Sequence, residues 1–281
     1  MSPEVAVIIV SYNQGAYLRQ AVESVLHQTK HVGQIILINN GSTDETAALM
    51  KQYTELYYPI ITTYAFVHNQ GALHAFSKGL EHATALYTCF LDADDELDHT
   101  FIARMTDTLK KHPKAAITYS DIHLFGPREK SASYTYPREW RHMMGSSYVI
   151  RVPDYSESVK YLLKRKDYIH NSAVFRTEAA KQVGGVVEHE LYSLRHYLWY
   201  RLLDAGHEAV HVAHPLYRYR QHSILQASWQ WRARNIKSDN PIDQQILYYQ
   251  EEIEHLHDSA FYKTEQVLQR LADNFKCDCE K

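Results

Sequence analysis

Hydrophobic positions in the first hundred residues alternate between short continuous runs and helical spacing. Four apolar runs, at residues 5–10, 34–38, 60–67 and 86–91, are too short for helices and predict strands, mostly covered on both faces. Between them apolar residues recur at intervals of three and four, as in Leu18, Ala21, Val22 and Val25, which predicts amphipathic helices. This order predicts an α/β fold with right-handed crossovers and a Rossmann-like, mostly parallel sheet flanked by helices.

The pattern after residue 98 is less regular. It predicts helices over 98–112, 154–164 and 193–203, and strands over 115–119 and 208–212. Residues 126–152 lack periodicity and predict a long irregular loop of the kind that often serves function. Its aromatic residues fit either stacking on a sugar or local packing.

The last part of the chain is different in kind. A helix start at Ser238-Asp239-Asn240-Pro241 precedes an apolar stripe that continues to Phe275. We therefore expect a large domain at residues 1–225 and a helical C-terminal extension at residues 226–281. The stripe predicts packing on the domain or on a partner subunit, so a homodimer through these helices stays open.

Polar clusters follow all four predicted strands of the first hundred residues. In open α/β sheets, ligands bind in the crevice at the carboxyl ends of the strands. The fourth cluster, Asp92-Ala93-Asp94-Asp95, brings three carboxylates together, and these need either open water or a cation. Mn²⁺ or Mg²⁺ would take carboxylate oxygens and keep positions for phosphate oxygens. A solvated acidic turn is the competing interpretation, and the shared position of the four clusters favours a ligand site.

Composition narrows the classes of function. A net charge of -3 lacks the basic excess of nucleic-acid binders, and three cysteines cannot make a disulfide framework. The start has no basic, apolar leader and no long apolar segment follows, which predicts a cytoplasmic protein without a transmembrane segment. Peripheral membrane contact stays open. No G-x-G-x-x-G and no G-x-x-x-x-G-K-[ST] occurs, so a glycine-rich phosphate loop is not expected.

In their order, the motifs resemble those of the inverting nucleotide-sugar glycosyltransferases of the GT-A fold, family 2. The matching pieces run from residue 5 to about residue 223: V-x-V-I-I-V-S-Y-N at 5–13, S-V-L-x-Q-T at 24–29, G-S-T-D at 41–44, N-x-G at 69–71, F-L-D-A-D-D at 90–95, V-G-G at 183–185, L-W-x-R-L at 198–202 and Y-R-x-x-x-H at 217–222. Each is weak alone. The resemblance implies a nucleotide-binding half at residues 1–120 and an acceptor half at 121–225.

The resemblance also implies site residues and a reaction. The implied nucleotide-binding residues are Val10, Tyr12, Asn40, Asp92 and Ala93. The implied ligands of Mn²⁺ or Mg²⁺ are Asp94, Asp92 and His222. The reaction would be a single displacement from a nucleotide-diphosphate sugar, with UDP-sugar expected, to a saccharide, a lipid-linked acceptor or a protein. Polysaccharide biosynthesis is the implied setting.

Two departures from the family pattern concern donor binding. Asn39-Asn40 replaces the usual Asp-Asp, and an asparagine can still donate to and accept from a nucleobase. Phe76-Ser77 replaces a frequent Arg-Asn in the third helix, which removes a cation that could meet a phosphate.

A third departure concerns catalysis. Leu194-Arg195 replaces the Glu-Asp pair that supplies the general base, and an arginine is not deprotonated in proteins. Candidate substitutes nearby in sequence are Glu188, Glu190 and His196. A degenerate relative that binds a nucleotide sugar or a partner enzyme without turnover is the alternative hypothesis.

Overall fold

The alternation predicted for the first hundred residues is present in the structure, a computed structural model that describes residues 3–133, 136–156, 168–187 and 195–222. The strands are β1 (Val5–Ser11), β2 (Gln34–Asn40), β3 (Ile61–Phe66) and β4 (Tyr87–Asp92). The helices that connect them are α1 (Gly15–Leu26), α2 (Thr46–Tyr57) and α3 (Ala72–His82).

The second half of the described chain adds shorter elements. They are β5 (Glu96–Leu97), α4 (Phe101–Lys111), β6 (Ala115–Phe125), α5 (Glu129–Ser133), a 3₁₀ turn (Arg138–Trp140), β7 (Arg141–Met144), β8 (Ser147–Ile150), β9 (Val174–Arg176), α6 (Thr177–Gln182), α7 (His196–Asp204) and β10 (Glu208–Arg220). No helix within these described ranges is long and apolar enough to cross a bilayer.

The strands form one mixed sheet in the order β3-β2-β1-β4-β9-β6-β10-β5. The first four are parallel to one another, which confirms the predicted crossovers. The short strand β9 runs antiparallel between β4 and β6, while β6 and β10 are parallel. The hairpin β7–β8 adds antiparallel to β6. The predicted α/β fold is confirmed.

Strand β1 is buried along its whole length, because helices and neighbouring strands cover it on all sides. Each such side chain contributes about 1.5–3 kcal/mol by leaving water. Helix α3 approaches β1 closely at Gly79, where an added Cβ would lie 2.3 Å from Cγ2 of Ile8. This close approach lets α3 pack directly on β1.

Three regions differ from the sequence prediction. Residues 126–152 hold a helix, a 3₁₀ turn and the hairpin β7–β8, whose short strands pair through the backbone without alternating hydrophobicity. Its aromatic residues Tyr136, Trp140 and Tyr148 pack against the core. Strand β6 runs on to Phe125, and β10 continues past Pro215, which is accommodated at register shifts.

Some predictions lie outside the described residues. They include most of the helix expected over 154–164 and the extension at 226–281. The expected division at residue 225, and that between residues 120 and 121, stay predictions.

Candidate active site

The polar ends of the first four strands meet at one edge of the sheet. Ser11 pairs with Asn39, and Val10 pairs with Asp92, so the ends of β1, β2 and β4 are cross-strand neighbours. The backbone N–H of Ala93 donates to the carbonyl of Val10 at 3.2 Å. The residues expected to bind a nucleotide on β1 and β4 are therefore contiguous in space.

The loop after β1 is fixed by the loop after β2. Asn13 has φ 53, and its carbonyl Oδ1 accepts from the N–H of Thr43 at 2.8 Å. Asp44 accepts from the N–H of Gly15 at 2.9 Å and from that of Thr46 at 3.1 Å. Burial alone would raise the pKa of Asp44, but these hydrogen bonds outweigh it and lower the pKa. The fixed loop leaves Tyr12 45% exposed at the edge.

Asn40 is buried and ties the end of β2 to the loop after β3. Its Nδ2 donates to Oδ1 of Asn69 at 3.0 Å, and its Oδ1 accepts from the N–H of Gln70 at 3.0 Å. Gly41 (φ 78) permits this approach, because a Cβ there would lie 2.5 Å from the backbone of His68. An amide has two hydrogens and two lone pairs, so one of each is left for a ligand.

The three carboxylates of the acidic cluster, defined as Asp92, Asp94 and Asp95, have different environments. Asp95 is buried and accepts from the hydroxyl of Tyr217 and from the N–H of Arg220 at 2.9 Å. Burial, followed by the charges of Asp94 and Asp92, raises the pKa of Asp95 well above its ordinary value. Asp94 is half-buried.

Arg220 forms a hydrogen bond to the backbone of the acidic cluster. Its Nε donates to the carbonyl of Asp94 at 2.6 Å, and its Nη2 contacts Glu96 at 2.8 Å and Gln20. The guanidinium also lies over Tyr17, 4.9 Å from the ring centroid. The end of β10 is thereby joined to helix α1 and to the turn after β4.

Asp92 is held by Arg195, the residue that caps the start of α7. Nη2 lies 2.6 Å from Oδ2 and Nη1 lies 3.3 Å from Oδ1, a two-pronged contact between side chains that are 0% (Arg195) and 27% (Asp92) exposed. The guanidinium carbon lies 4.0 Å from the centroid of the Phe76 ring. Burial raises the pKa of the Asp92 carboxyl, against the opposing charge of Arg195.

The surroundings suit a divalent cation to a limited degree. Asp92 and Asp95 accept from donor groups, and Asp94 is half-buried beside them. A cation held by Asp94 together with diphosphate oxygens is an arrangement that Mg²⁺ accepts. Within the described ranges, no three His, Cys, Asp or Glu side chains are grouped to hold a metal ion. His222 is half-buried and follows Arg220 by two residues, at the end of the chain that the structure describes.

The structure describes one of the three candidate bases. His196 is buried on the first turn of α7, beside Arg195. Glu188 and Glu190 lie outside the described residues. The choice of a base therefore stays a prediction.

Sequence reasoning missed the roles of Arg195, Arg220 and Tyr217 around the acidic cluster. A signal was present, since buried carboxylates require compensating donors and the Y-R-x-x-x-H stretch begins with Tyr217. The spacing could not show which donor meets which carboxylate.

A second group of charged side chains lies at a cavity of about 660 Å³ between the hairpin β7–β8 and strands β6 and β10. The imidazole of His211 contacts Asp121 through Nε2 at 2.9 Å and Asp154 through Nδ1 at 2.8 Å. Burial would lower the pKa of His211, but the bonds to the two carboxylates outweigh it and raise the pKa above 6.5. Met143 and Met144 line the same cavity. We name this group the hairpin cluster: His211, Asp121 and Asp154.

Comparison with known proteins identifies the family. Residues 6–184, more than half of the chain, match the family described as "Glycosyl transferase family 2". Among curated relatives, an uncharacterised glycosyltransferase of Escherichia coli K12, YibD, is 40% identical over 94 residues, which is 34% of this chain and 27% of that protein. The matches span 20%, 27% and 37% of the lengths of three such relatives.

Solved structures share the fold. Staphylococcus aureus TarS 1–349 in complex with UDP-GlcNAc has a TM-score of 0.60 at 14% identity, over 87% of this chain and 70% of that one. The mannosyltransferase PcManGT from Pyrobaculum calidifontis, in complex with GDP-Man and Mn²⁺, has a TM-score of 0.57 at 16% identity, over 83% and 61%. Because the family match covers more than half of the chain, and most of the sheet, the chain belongs to glycosyl transferase family 2.

Proposed function

We propose that this chain is an inverting, divalent-metal-dependent glycosyltransferase that uses a nucleotide-diphosphate sugar, with UDP-sugar the first choice. The acceptor would be a saccharide, a lipid-linked sugar or a protein. The observation that carries the proposal is that the ends of β1, β2 and β4 meet at one edge of the sheet. We name this edge the donor edge, after the sugar donor that we propose binds there. Support comes from two solved structures of similar fold, which are complexes with UDP-GlcNAc and with GDP-Man.

The nucleoside would lie along the ends of β1 and β2. The exposed ring of Tyr12 offers a face for the base, and stacking of aromatic rings contributes about 0.5–1.5 kcal/mol. The remaining hydrogen and lone pair of the Asn40 amide match a nucleobase edge with one acceptor and one donor. Val10 and Ala93 would form the wall beside the ribose, and Asp92 would accept from a ribose hydroxyl.

The diphosphate would lie over the acidic cluster. Asp94 is the first candidate ligand for Mn²⁺ or Mg²⁺, with Asp92 and His222 as further candidates. A bound divalent cation neutralises the charge that gathers on a departing diphosphate. Asp92 is the weaker ligand of the two carboxylates, because both of its oxygens already meet Arg195.

Transfer requires a base for the acceptor hydroxyl. As the hydroxyl oxygen bonds to the anomeric carbon, the base takes its proton and the diphosphate oxygen leaves from the opposite face, which inverts the centre. Glu188, Glu190 and His196 are the candidates. His196 is buried, so its ring would have to become accessible to reach the acceptor.

Donor binding is the first test. We expect at least one of a panel of UDP-, dTDP- and GDP-sugars to raise the melting temperature of the purified chain when Mn²⁺ is present. Asp94→Asn should remove the Mn²⁺-dependent part of the shift. Asp107→Asn, at an exposed carboxylate on α4 that pairs with Lys30, is the matched control. No shift with any donor would contradict the proposal.

A second candidate function is donor binding without turnover. It is favoured by the contact of Arg195 with Asp92, since a guanidinium beside the donor edge supplies no base. Slow hydrolysis of the donor distinguishes the two functions. Hydrolysis that Asp94→Ala abolishes supports an enzyme, whereas tight donor binding with no hydrolysis and no transfer supports the binder.

A further inference from the structure

We propose that Arg195 is a positioning residue for donor binding, which supplies from α7 the cation that α3 lacks at Phe76. The part of this inference that concerns the nucleotide rests on the proposed function. The part that concerns Asp92 rests on the contacts of the described residues alone.

The contact between Arg195 and Asp92 fixes the orientation of the two side chains relative to each other. Two guanidinium nitrogens face two carboxylate oxygens, at 2.6 and 3.3 Å. The planar guanidinium rests on an aromatic floor, 4.0 Å from the centroid of Phe76 and 6.0 Å from that of Phe90. Its Nε is buried and has no hydrogen-bond partner among the described residues, so the carboxylate is the polar group that orients it there. Such a contact fixes the direction of the carboxylate as well as its charge.

Two of the departures from the family pattern meet at this contact. The resemblance implies an Arg at the position of Phe76 and an Asp at that of Arg195, and the two side chains touch although they are 119 positions apart in the sequence. Because the Phe76 ring lies against the guanidinium that contacts Asp92, a cation carried by either position would lie beside this carboxylate.

The acidic cluster gives a physical reason for keeping a cation at this point. Asp92, Asp94 and Asp95 lie within four residues, and Asp95 is buried. The side chain of Arg220 contacts the carbonyl of Asp94 and the carboxylate of Glu96, whereas Arg195 contacts the carboxylate of Asp92 directly. Without Arg195, Asp92 would turn away from its neighbours, and the edge offered to a ribose and diphosphate would change.

The test exchanges the cation between the two helices. Four variants are compared with the wild type: Arg195→Gln, Arg195→Lys, Phe76→Arg and the double variant Phe76→Arg/Arg195→Gln. Melting temperature is measured without ligand, and the Kd of UDP is measured by calorimetry with MnCl₂. We expect Arg195→Gln to lower the melting temperature by about 6 °C or more. It should weaken UDP binding about tenfold or more.

The double variant is the decisive one. An arginine at position 76 should meet Asp92 from α3, restore at least half of the lost melting temperature and bring the Kd to within about threefold of the wild type. Arg195→Lys keeps the positive charge but loses the planar guanidinium with its two parallel N–H donors. Its melting temperature and its Kd for UDP should therefore fall between those of the wild type and Arg195→Gln.

Each contrary result has a distinct meaning. A Kd unchanged in Arg195→Gln, even with a lowered melting temperature, would show a merely structural role and overturn the proposal. A double variant no better than Arg195→Gln in both measurements would overturn the exchange between the helices. If the wild type binds neither UDP nor another nucleotide, the proposed function fails, and recovery of the melting temperature still decides whether the cation was exchanged.

Discussion

Half-buried Asp92 and buried Asp121 each meet a cation, and the two cations differ in kind. At the donor edge Asp92 meets Arg195, whose charge is permanent. In the hairpin cluster Asp121 meets His211, whose charge depends on pH. The geometry is similar, with nitrogen–oxygen distances of 2.6 and 2.9 Å. The difference teaches that the charge of the cation at the donor edge is the same over the physiological range, whereas that of the cation in the hairpin cluster responds to protons.

The surroundings of His211 make this response specific. Asp121 faces it from β6, Asp154 from the segment after β8, and the ring of Tyr119 stacks on it with centroids 5.2 Å apart. Neighbouring His170 is the opposite case, because burial, together with the charges of His211 and His196, lowers its pKa to about 3. His170 therefore stays neutral beside a histidine that holds its proton.

Removing the permanent cation should have the largest effect on stability. We expect Arg195→Met to lower the free energy of unfolding by about 3 kcal/mol, because it leaves Asp92 largely buried and uncompensated. The loss should be smaller at pH 6 than at pH 9, because burial without the opposing charge raises the pKa of Asp92 further and favours its neutral form. Unfolding in urea measures it, with the exposed Arg104→Met as control. A loss as small as that of the control would remove the distinction between the two pairs.

Removing the titratable cation should have a smaller, pH-dependent effect. The folded pKa of His211 is raised above 6.5, so its contribution is full below about pH 6.5 and is lost as pH rises through the folded pKa. We expect His211→Gln to lower the free energy of unfolding by about 2 kcal/mol at pH 6 and by less at pH 9. Urea titrations across this range test it. Equal losses at both pH values would mean that folding does not raise the pKa of His211.

A change at the open side of the donor edge should affect binding and leave stability unchanged. Tyr12→Ala removes an exposed ring, so we expect the donor Kd to rise roughly three- to tenfold with no loss of melting temperature. Calorimetry and thermal unfolding of the same samples give both values. Tyr58→Ala, at another exposed tyrosine, is the control. Unchanged affinity would contradict the proposed position of the base.

The smallest effect should come from the outer carboxylate of the hairpin cluster. Asp154 is 90% exposed, so water screens its contact with His211. We expect Asp154→Ala to cost less than about 1 kcal/mol at pH 6 and to shift the pH dependence slightly toward acid. A loss equal to that of His211→Gln would show that Asp154, and not Asp121, holds the proton on the ring.

The donor edge could be predicted from the sequence because its signals are local. Each strand is a continuous apolar run, and each polar cluster follows its strand directly, so the meeting of Tyr12, Asn40 and Asp92 follows from parallel order alone. The family motifs added the roles of these residues. At this edge, the compensation of the carboxylate charges is the feature that depends on side chains distant in sequence.

The second half of the domain could not be predicted as well, for physical reasons. Arg195 meets Asp92 across 103 positions, and no periodicity encodes such a pair. The hairpin β7–β8 is held by backbone pairing to β6, which polar residues provide as well as apolar ones. The strand predicted over 208–212 is longer in the structure, because register shifts around Pro215 let β10 continue to Arg220.

The position of Arg220 has a mechanical consequence. It is the last residue of β10, its guanidinium bonds the carbonyl of Asp94, and residues 223–281 follow almost directly from it. The N–H of the next residue, Gln221, donates to Phe125 at 2.7 Å, which anchors the same point to β6. A displacement of the end of β10 would therefore move the turn that carries the acidic cluster.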